Sequence, residues 1–366
     1  MEEIKYQCIG CGAEIQTEDP EGIGYLPESA LRKGLDQGQF YCQRCFRLRH
    51  YNELQDLDIS DDVFLDKLSQ IAEDDAFIIY VIDLFDIEGS LISGLPRFIG
   101  QQPFVVVANK VDLLPKSVKK NRLEDWIRQT MNQQGLYPEA IFAMSAKKPQ
   151  TLESLTQLIQ QQIQTKNIYV VGVTNVGKST LINQLLDYYG GDKTIITTSN
   201  YPGTTLDLIY LPLTDDHGLI DTPGIIRRQQ LGHYLSREEL KQVLPAKPIK
   251  PKTFQLNAEQ TVFLAGLARL DYLAGERNSF TFYVANDLYL HRTKLAKADD
   301  FYQSHRGDLL SPPAGEYPDL VARQLRLKGD QDIAISGLGW INIKEPAEVT
   351  LWLPEHIHYS IRRAII

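Results

Sequence analysis

An apolar run at Asn167–Val171 leads directly into Gly172-Val173-Thr174-Asn175-Val176-Gly177-Lys178-Ser179, and an amphipathic stretch follows over 180–189. Few folds accept the pattern G-x-x-x-x-G-K-S between a strand and a helix, because the loop must curl its backbone N–H groups around an anion at the helix N-terminus. The two glycines permit that curl, and the helix dipole favours negative charge there. Lys178 is placed to reach the β- and γ-phosphates of a nucleotide, and the Ser179 hydroxyl to bind Mg2+. Gly172, Asn175, Val176, Gly177 and Thr180 complete the expected cradle.

The surrounding sequence supplies the sheet such a loop needs. Apolar runs at 76–83, 103–110, 140–147 and 167–173 alternate with helix-like segments at 118–133 and 151–164. Continuous Val/Ile/Phe runs separated by helices suit a parallel sheet covered on both faces, so the middle of the chain is expected to be α/β. A chain of 366 residues is too long for a single core of ordinary size.

Two further motifs select the nucleotide. Asn109-Lys110-Val111-Asp112 ends the run 103–108, where the Asp112 carboxylate can accept hydrogen bonds from guanine N1 and the 2-amino group while Asn109 reads another edge. Adenine offers neither donor, and a site left with an unpaired carboxylate rejects it. Ser145-Ala146-Lys147, at another strand end, fits a loop whose backbone contacts the guanine O6. Asp221-Thr222-Pro223-Gly224 adds the phosphate end, with Asp221 holding Mg2+ through a water and the Gly224 N–H sensing the γ-phosphate. Within Pro202-Gly203-Thr204-Thr205, Thr205 is the expected Mg2+ hydroxyl, with Thr204 as alternative. The expected catalytic set is Lys178, Thr205, Gly224 and Asn175. The base motifs precede the phosphate loop, whereas ordinary GTPases begin with that loop, so the domain is expected to be circularly permuted.

All four cysteines fall in two pairs, Cys8-x-x-Cys11 and Cys42-x-x-Cys45, separated by 30 residues. Two such pairs can close a tetrahedral thiolate site, and structural Zn2+ is the expected occupant. A redox C-x-x-C would need a thioredoxin-like context that is missing. Arg44, Arg47, Arg49 and His50 crowd the second pair and could meet a phosphate backbone or form a solvated basic face.

These motifs, together with the run 81–90 (V-I-D-L-F-D-I-E-G-S), make the chain resemble the YqeH family of circularly permuted GTPases over nearly its full length. The resemblance implies a GTP-to-GDP hydrolase acting as a switch in small ribosomal subunit assembly, with ribosomal RNA and ribosomal proteins as partners. Its alternative is a nucleotide-gated RNA-binding scaffold in which occupancy, not turnover, matters. Ile225 stands where many GTPases place the glutamine that orients water, so intrinsic hydrolysis is expected to be slow. Related GTPases with a hydrophobic residue there use an asparagine at the Asn175 position to bind K+, which implies K+-stimulated turnover.

Three modules follow: a zinc-knuckle module over 1–55, a permuted P-loop GTPase domain over 56–225, and a β-rich (α+β) interaction domain over 226–366. The last contains a proline-punctuated basic run at 244–252, a helix-like stretch at 258–268 and strand candidates at 279–284, 288–291, 333–336, 340–343 and 348–353. His356-Ile357-His358 reads as alternating on a strand.

The net charge of −9 argues against a protein that coats nucleic acid over its whole surface. Residues 1–225 carry 19 Lys+Arg against 31 Asp+Glu, and the remainder 19 against 16, so any RNA contact is expected in the tail. Tyr283, Tyr289, Trp340, Trp352 and Tyr359 with Arg292, Lys294, Arg362 and Arg363 are candidates for it, or else an ordinary β-core with a charged rim. No apolar run suits a bilayer span and no secretory leader is visible, so the expected location is cytoplasmic, without membrane or DNA partners. No G-x-G-x-x-G fingerprint supports a zinc oxidoreductase.

Overall fold

The computed structural model describes residues 6–8, 13–20, 22, 24–37, 40–51, 58–59, 71–92, 94–189, 209–222, 224–225 and 229–365. The chain forms two compact units. The first contains Met1–Leu84, Ser90–Val111 and Glu124–Ile226; the second contains Phe85–Gly89, Asp112–Leu123 and Arg227–Ile366.

In the first unit the strands are β1 (Asp58–Ile59), β2 (Ala76–Asp83), β3 (Phe104–Asn109), β4 (Ile141–Ala143), β5 (Asn167–Val171), β6 (Ile209–Pro212), β7 (Gly218–Asp221) and β8 (Gly224–Ile225). Six of them form one sheet in the order β4-β3-β2-β5-β7-β6, parallel throughout except for β6, which pairs antiparallel with β7 at the edge. Every residue of β2, β3 and β5 is buried, which is why those segments are unbroken apolar runs and not alternating ones. The C-terminal ends of the parallel strands deliver Asp83, Asn109, the phosphate loop and Asp221 to one edge of the sheet, the usual ligand side of an open α/β fold. β1 and β8 pair in parallel as a separate ribbon.

The second unit is a β-sandwich of β9 (Lys252–Leu256), β10 (Gln260–Leu264), β11 (Ala268–Ala274), β12 (Asn278–Tyr283), β13 (Leu290–Lys294), β14 (Leu320–Leu327), β15 (Gln331–Ile335), β16 (Gly339–Ile343), β17 (Ala347–Pro354) and β18 (Tyr359–Arg363). Two five-stranded antiparallel sheets, β13-β10-β11-β17-β14 and β18-β15-β16-β12-β9, share one core. Val262, Leu264, Leu270 and Leu351 from the first sheet and Phe280, Phe282, Ile333 and Ile341 from the second are fully buried in it.

The helix expected at 258–268 is instead the β10–β11 hairpin. Thr261, Val262 and Phe263 are β-branched or aromatic, and Glu259 and Ala265 on either side have φ of 63° and 48°, a backbone state no helix interior adopts. His356 and His358 lie in the turn between β17 and β18, not on a strand. Tyr283 stacks on Trp340, its buried cross-strand neighbour, with ring centroids 4.9 Å apart. Trp352 donates to Asp271 Oδ2 at 2.8 Å beneath Arg269, so three of the aromatics considered for base stacking are spent on the unit itself.

The segment Phe85–Gly89 belongs to this second unit. Asp86 Oδ1 accepts from Gly89 N at 3.0 Å, while Oδ2 accepts from Gly337 N at 2.8 Å and Gln230 Nε2 at 3.1 Å. Arg362 grips both Glu88 carboxylate oxygens at 2.6 and 2.7 Å.

Candidate functional site

The phosphate loop runs from the end of β5 into the helix Lys178–Tyr189. Gly172 is required because a Cβ there would lie 2.6 Å from the Val81 carbonyl oxygen. Gly177 has φ of +94°, and a Cβ would collide with the Asn109 amide. Asn175 also takes a left-handed conformation, φ 62°, and its side chain is exposed at the loop tip. Lys178 is buried to 1% exposure, with its Nζ 3.4 Å from the Val173 carbonyl oxygen of the loop. Ser179 is buried in the first turn of the helix, Val176 is buried in the loop, and Thr180 faces outward.

Asn109 has a task other than reading the base. Its Nδ2 donates to the Val176 carbonyl at 2.8 Å, and its Oδ1 accepts from Ala146 N at 2.8 Å, so one buried amide ties the phosphate loop to the Ser145-Ala146-Lys147 loop. Lys110, at φ 68°, works beside it: Nζ donates to Asp83 Oδ2 at 2.7 Å and to the Asn175 carbonyl. Asp83 is buried, and its backbone N–H donates to Ser90 Oγ at 3.0 Å. Thr151 Oγ1 donates to the Ser145 carbonyl at 2.9 Å and braces the second base loop, while Lys147 is exposed. Asp112, in the short turn Val111–Leu113, is half-buried.

At the phosphate end, Asp221 closes β7 and is 2% exposed. Arg44 Nη2 donates to Asp221 Oδ2 at 2.5 Å, and both side chains are buried. Burial on Asp221 removes Arg44 from the basic face expected beside the second cysteine pair. Thr204, Thr205 and Pro223 lie outside the described residues, and of Gly224 and Ile225 only the backbone is described: it pairs with Asp58 and Ile59.

Cys8, Cys42 and Cys45 are buried, with their Sγ atoms all within 4.8 Å of one another. Thiolates 2.3 Å from a tetrahedral Zn2+ would stand about 3.8 Å apart, so the three fit a zinc site. The backbone N–H of Cys42 donates to Cys8 Sγ at 3.2 Å, a bond that favours the thiolate. Cys11, the fourth expected ligand, lies outside the described residues, as do Gly10 and Gly12.

The sequence singles out neither Asp83 nor Thr151, and it names Arg44 and Asp221 apart but not their pairing. Asp83 and Arg44 stand inside motifs noted for other reasons, whereas Thr151 carries no local signal. Among the described residues no helix is long and apolar enough to cross a membrane.

A family model described as "50S ribosome-binding GTPase" matches residues 167–258, and one described as "YqeH-like, C-terminal" matches 277–365. The uncharacterized protein YqeH of Bacillus subtilis is 46% identical over 368 residues, covering 99% of this chain and 100% of that protein. Nitric oxide-associated protein 1 of Mus musculus is 27% identical, over 95% of this chain and 73% of its own length. Ribosome biogenesis GTPase A of Priestia megaterium is 31% identical over 36% of this chain and 46% of its own. The chain therefore carries a GTPase domain, which implies GTP or GDP with Mg2+. The hard oxygen donors of Ser179 and Asp221 fit Mg2+. With a GTPase domain in the middle, a family-specific C-terminal domain and a relative matched along its whole length, the chain belongs to the YqeH family.

Proposed function

We propose that this protein is a circularly permuted, slow GTPase that hydrolyses GTP to GDP and phosphate and acts as a nucleotide switch in assembly of the small ribosomal subunit. The observation that carries the nucleotide reading is the buried Asn109 amide joining the phosphate loop to the Ala146 loop. That link orders a base loop and a phosphate loop against each other although the base motifs come first in the chain, which supports a permuted GTPase. Lys178, Ser179, Thr205 and Asp221 handle the phosphates and Mg2+, Gly224 senses the γ-phosphate, and Asp112 with the Ser145–Lys147 loop selects guanine. The cysteine cluster holds structural Zn2+ with Cys11 as fourth ligand.

Ile225 cannot orient water, so charge on the β–γ bridge must be stabilised otherwise. In this reading Asn175, exposed at the loop tip, holds K+ there. The same Ile225 favours a second reading, the nucleotide-gated RNA-binding scaffold. A variant that binds GTP without hydrolysing it separates the two: release from the particle fails if turnover is required and persists if occupancy suffices.

Ribosomal relatives support a ribosomal partner, and the resemblance points to the small subunit, ribosomal RNA and ribosomal proteins in a cytoplasmic setting. Because the matched GTPase model is described by the 50S ribosome, both subunits belong in the test. Purified protein is sedimented with 30S and 50S particles in GDP and in a non-hydrolysable GTP analogue. Nucleotide-dependent co-sedimentation with 30S is expected; equal binding in both nucleotides, or binding to 50S alone, contradicts the proposal.

A further inference from the structure

Arg44 is carried by the cysteine cluster but spends its charge at the GTPase site. It sits between Cys42 and Cys45 at the start of the helix Gln43–Tyr51, and Cys45 is wholly buried. Its guanidinium reaches Asp221 Oδ2 at 2.5 Å, with 6% of its own side chain and 3% of the aspartate exposed. Among the described residues, Arg44 Nε is buried with no hydrogen-bond partner, so the guanidinium is incompletely satisfied where it lies. Independently, β1 runs parallel along β8, pairing Asp58 with Gly224 and Ile59 with Ile225. The N-terminal segment therefore touches both ends of the Asp221-Thr222-Pro223-Gly224 motif.

Asp221 is also the carboxylate expected to hold nucleotide-bound Mg2+. An arginine never gives up its charge, and a divalent cation and a guanidinium repel each other strongly in a water-poor site. Drawing on one buried carboxylate, the two cations therefore weaken each other's hold on it. Moving Arg44 away removes a cation from the buried Asp221 carboxylate, and Mg2+ supplies a replacement.

We infer that Arg44 and the nucleotide's Mg2+ compete for the Asp221 carboxylate, so that Mg2+ with GTP displaces Arg44 and loosens the metal knuckle on which Arg44 is mounted. The inference rests on the GTPase reading above. Coupling of this kind is reciprocal: whatever tightens the knuckle weakens Mg2+-dependent nucleotide binding by the same factor.

The test uses full-length, zinc-loaded protein. First, GTP binding is titrated against Mg2+ for wild type and for Arg44→Met, which keeps bulk and removes charge, with Arg44→Lys as the conservative variant. The half-saturating Mg2+ concentration should fall about tenfold in Arg44→Met and lie between in Arg44→Lys. Second, Zn2+ release from wild type to a chromogenic chelator is timed with Mg2+ alone, GTP alone and both, which needs no variant. Release should quicken only with both. An unchanged or raised Mg2+ requirement in Arg44→Met, or release indifferent to Mg2+ with GTP, overturns the inference while leaving the GTPase reading intact. Failure of wild type to bind GTP at any Mg2+ concentration overturns both.

Discussion

Asn109 and Ala146 are joined by a buried hydrogen bond of 2.8 Å from the Ala146 N–H to Asn109 Oδ1, and the other end of the same amide holds the Val176 carbonyl of the phosphate loop. Replacing Asn109 by Ala leaves a buried donor and a buried acceptor unpaired at once. Each such loss costs about 1–3 kcal/mol. Asn109→Ala should therefore lower unfolding stability by a few kcal/mol and weaken GTP binding at least tenfold, read by denaturant titration and fluorescence titration. Stability and affinity both within error of wild type would show that the brace is not needed.

Lys110 should separate loop geometry from charge. Its ammonium bonds Asp83 Oδ2 at 2.7 Å and the Asn175 carbonyl, tying the loop tip to the end of β2. Lys110→Met removes both bonds and takes a cation away from the buried Asp83, so GTP affinity should fall. Asp83→Asn with Lys110→Met should recover part of the stability, since both partners are then neutral. A double variant less stable than Lys110→Met would contradict the pairing.

The cysteine cluster should contain about one Zn2+ per chain, measured by elemental analysis of protein purified without added metal. Cys45→Ser removes a fully buried thiol of the cluster. Its Zn2+ content should drop and the N-terminal segment should become sensitive to protease, because metal binding and local folding are linked. Full zinc retention in Cys45→Ser would place the metal elsewhere.

Within the β-rich unit, Asp86 accepts from Gly89, Gly337 and Gln230. Asp86→Ala strips acceptors from two backbone N–H groups and an amide, and should lower the melting temperature of that unit by several degrees, with a cost of about 2–4 kcal/mol. Calorimetry reads this directly, and a melting profile identical to wild type would show that the Phe85–Gly89 segment contributes nothing to the unit.

Motifs that act through contiguous residues were legible in the sequence. β2, β3 and β5 stand where their apolar runs predict, and the phosphate loop lies between strand and helix as its glycines demand. Long-range pairings were not legible. Asn109 and Val176 are 67 residues apart, and Arg44 and Asp221 are 177 apart, so no local pattern announces either bond. The hairpin at β10 reads as helix in the sequence for a different reason: Leu264, Leu267 and Ala268 recur at i, i+3 and i+4, and only the pairing with β11 and β13 decides for strand. The Trp340 and Tyr283 rings, open in the sequence to RNA stacking or to a β-core, pair with each other across β16 and β12 and are buried there.

Guanine recognition by Asp112 is tested most directly by exchanging the base and the carboxylate together. A carboxylate accepts from the guanine N1 and 2-amino donors, whereas an asparagine amide can donate to the 2-oxo group of xanthine. Binding of GTP, ATP and XTP is measured for wild type and Asp112→Asn. Wild type should bind GTP and reject ATP and XTP, and Asp112→Asn should lose GTP by at least a hundredfold while gaining XTP. Wild type binding ATP as well as GTP, or Asp112→Asn keeping its GTP affinity, would contradict a guanine-nucleotide switch at this site.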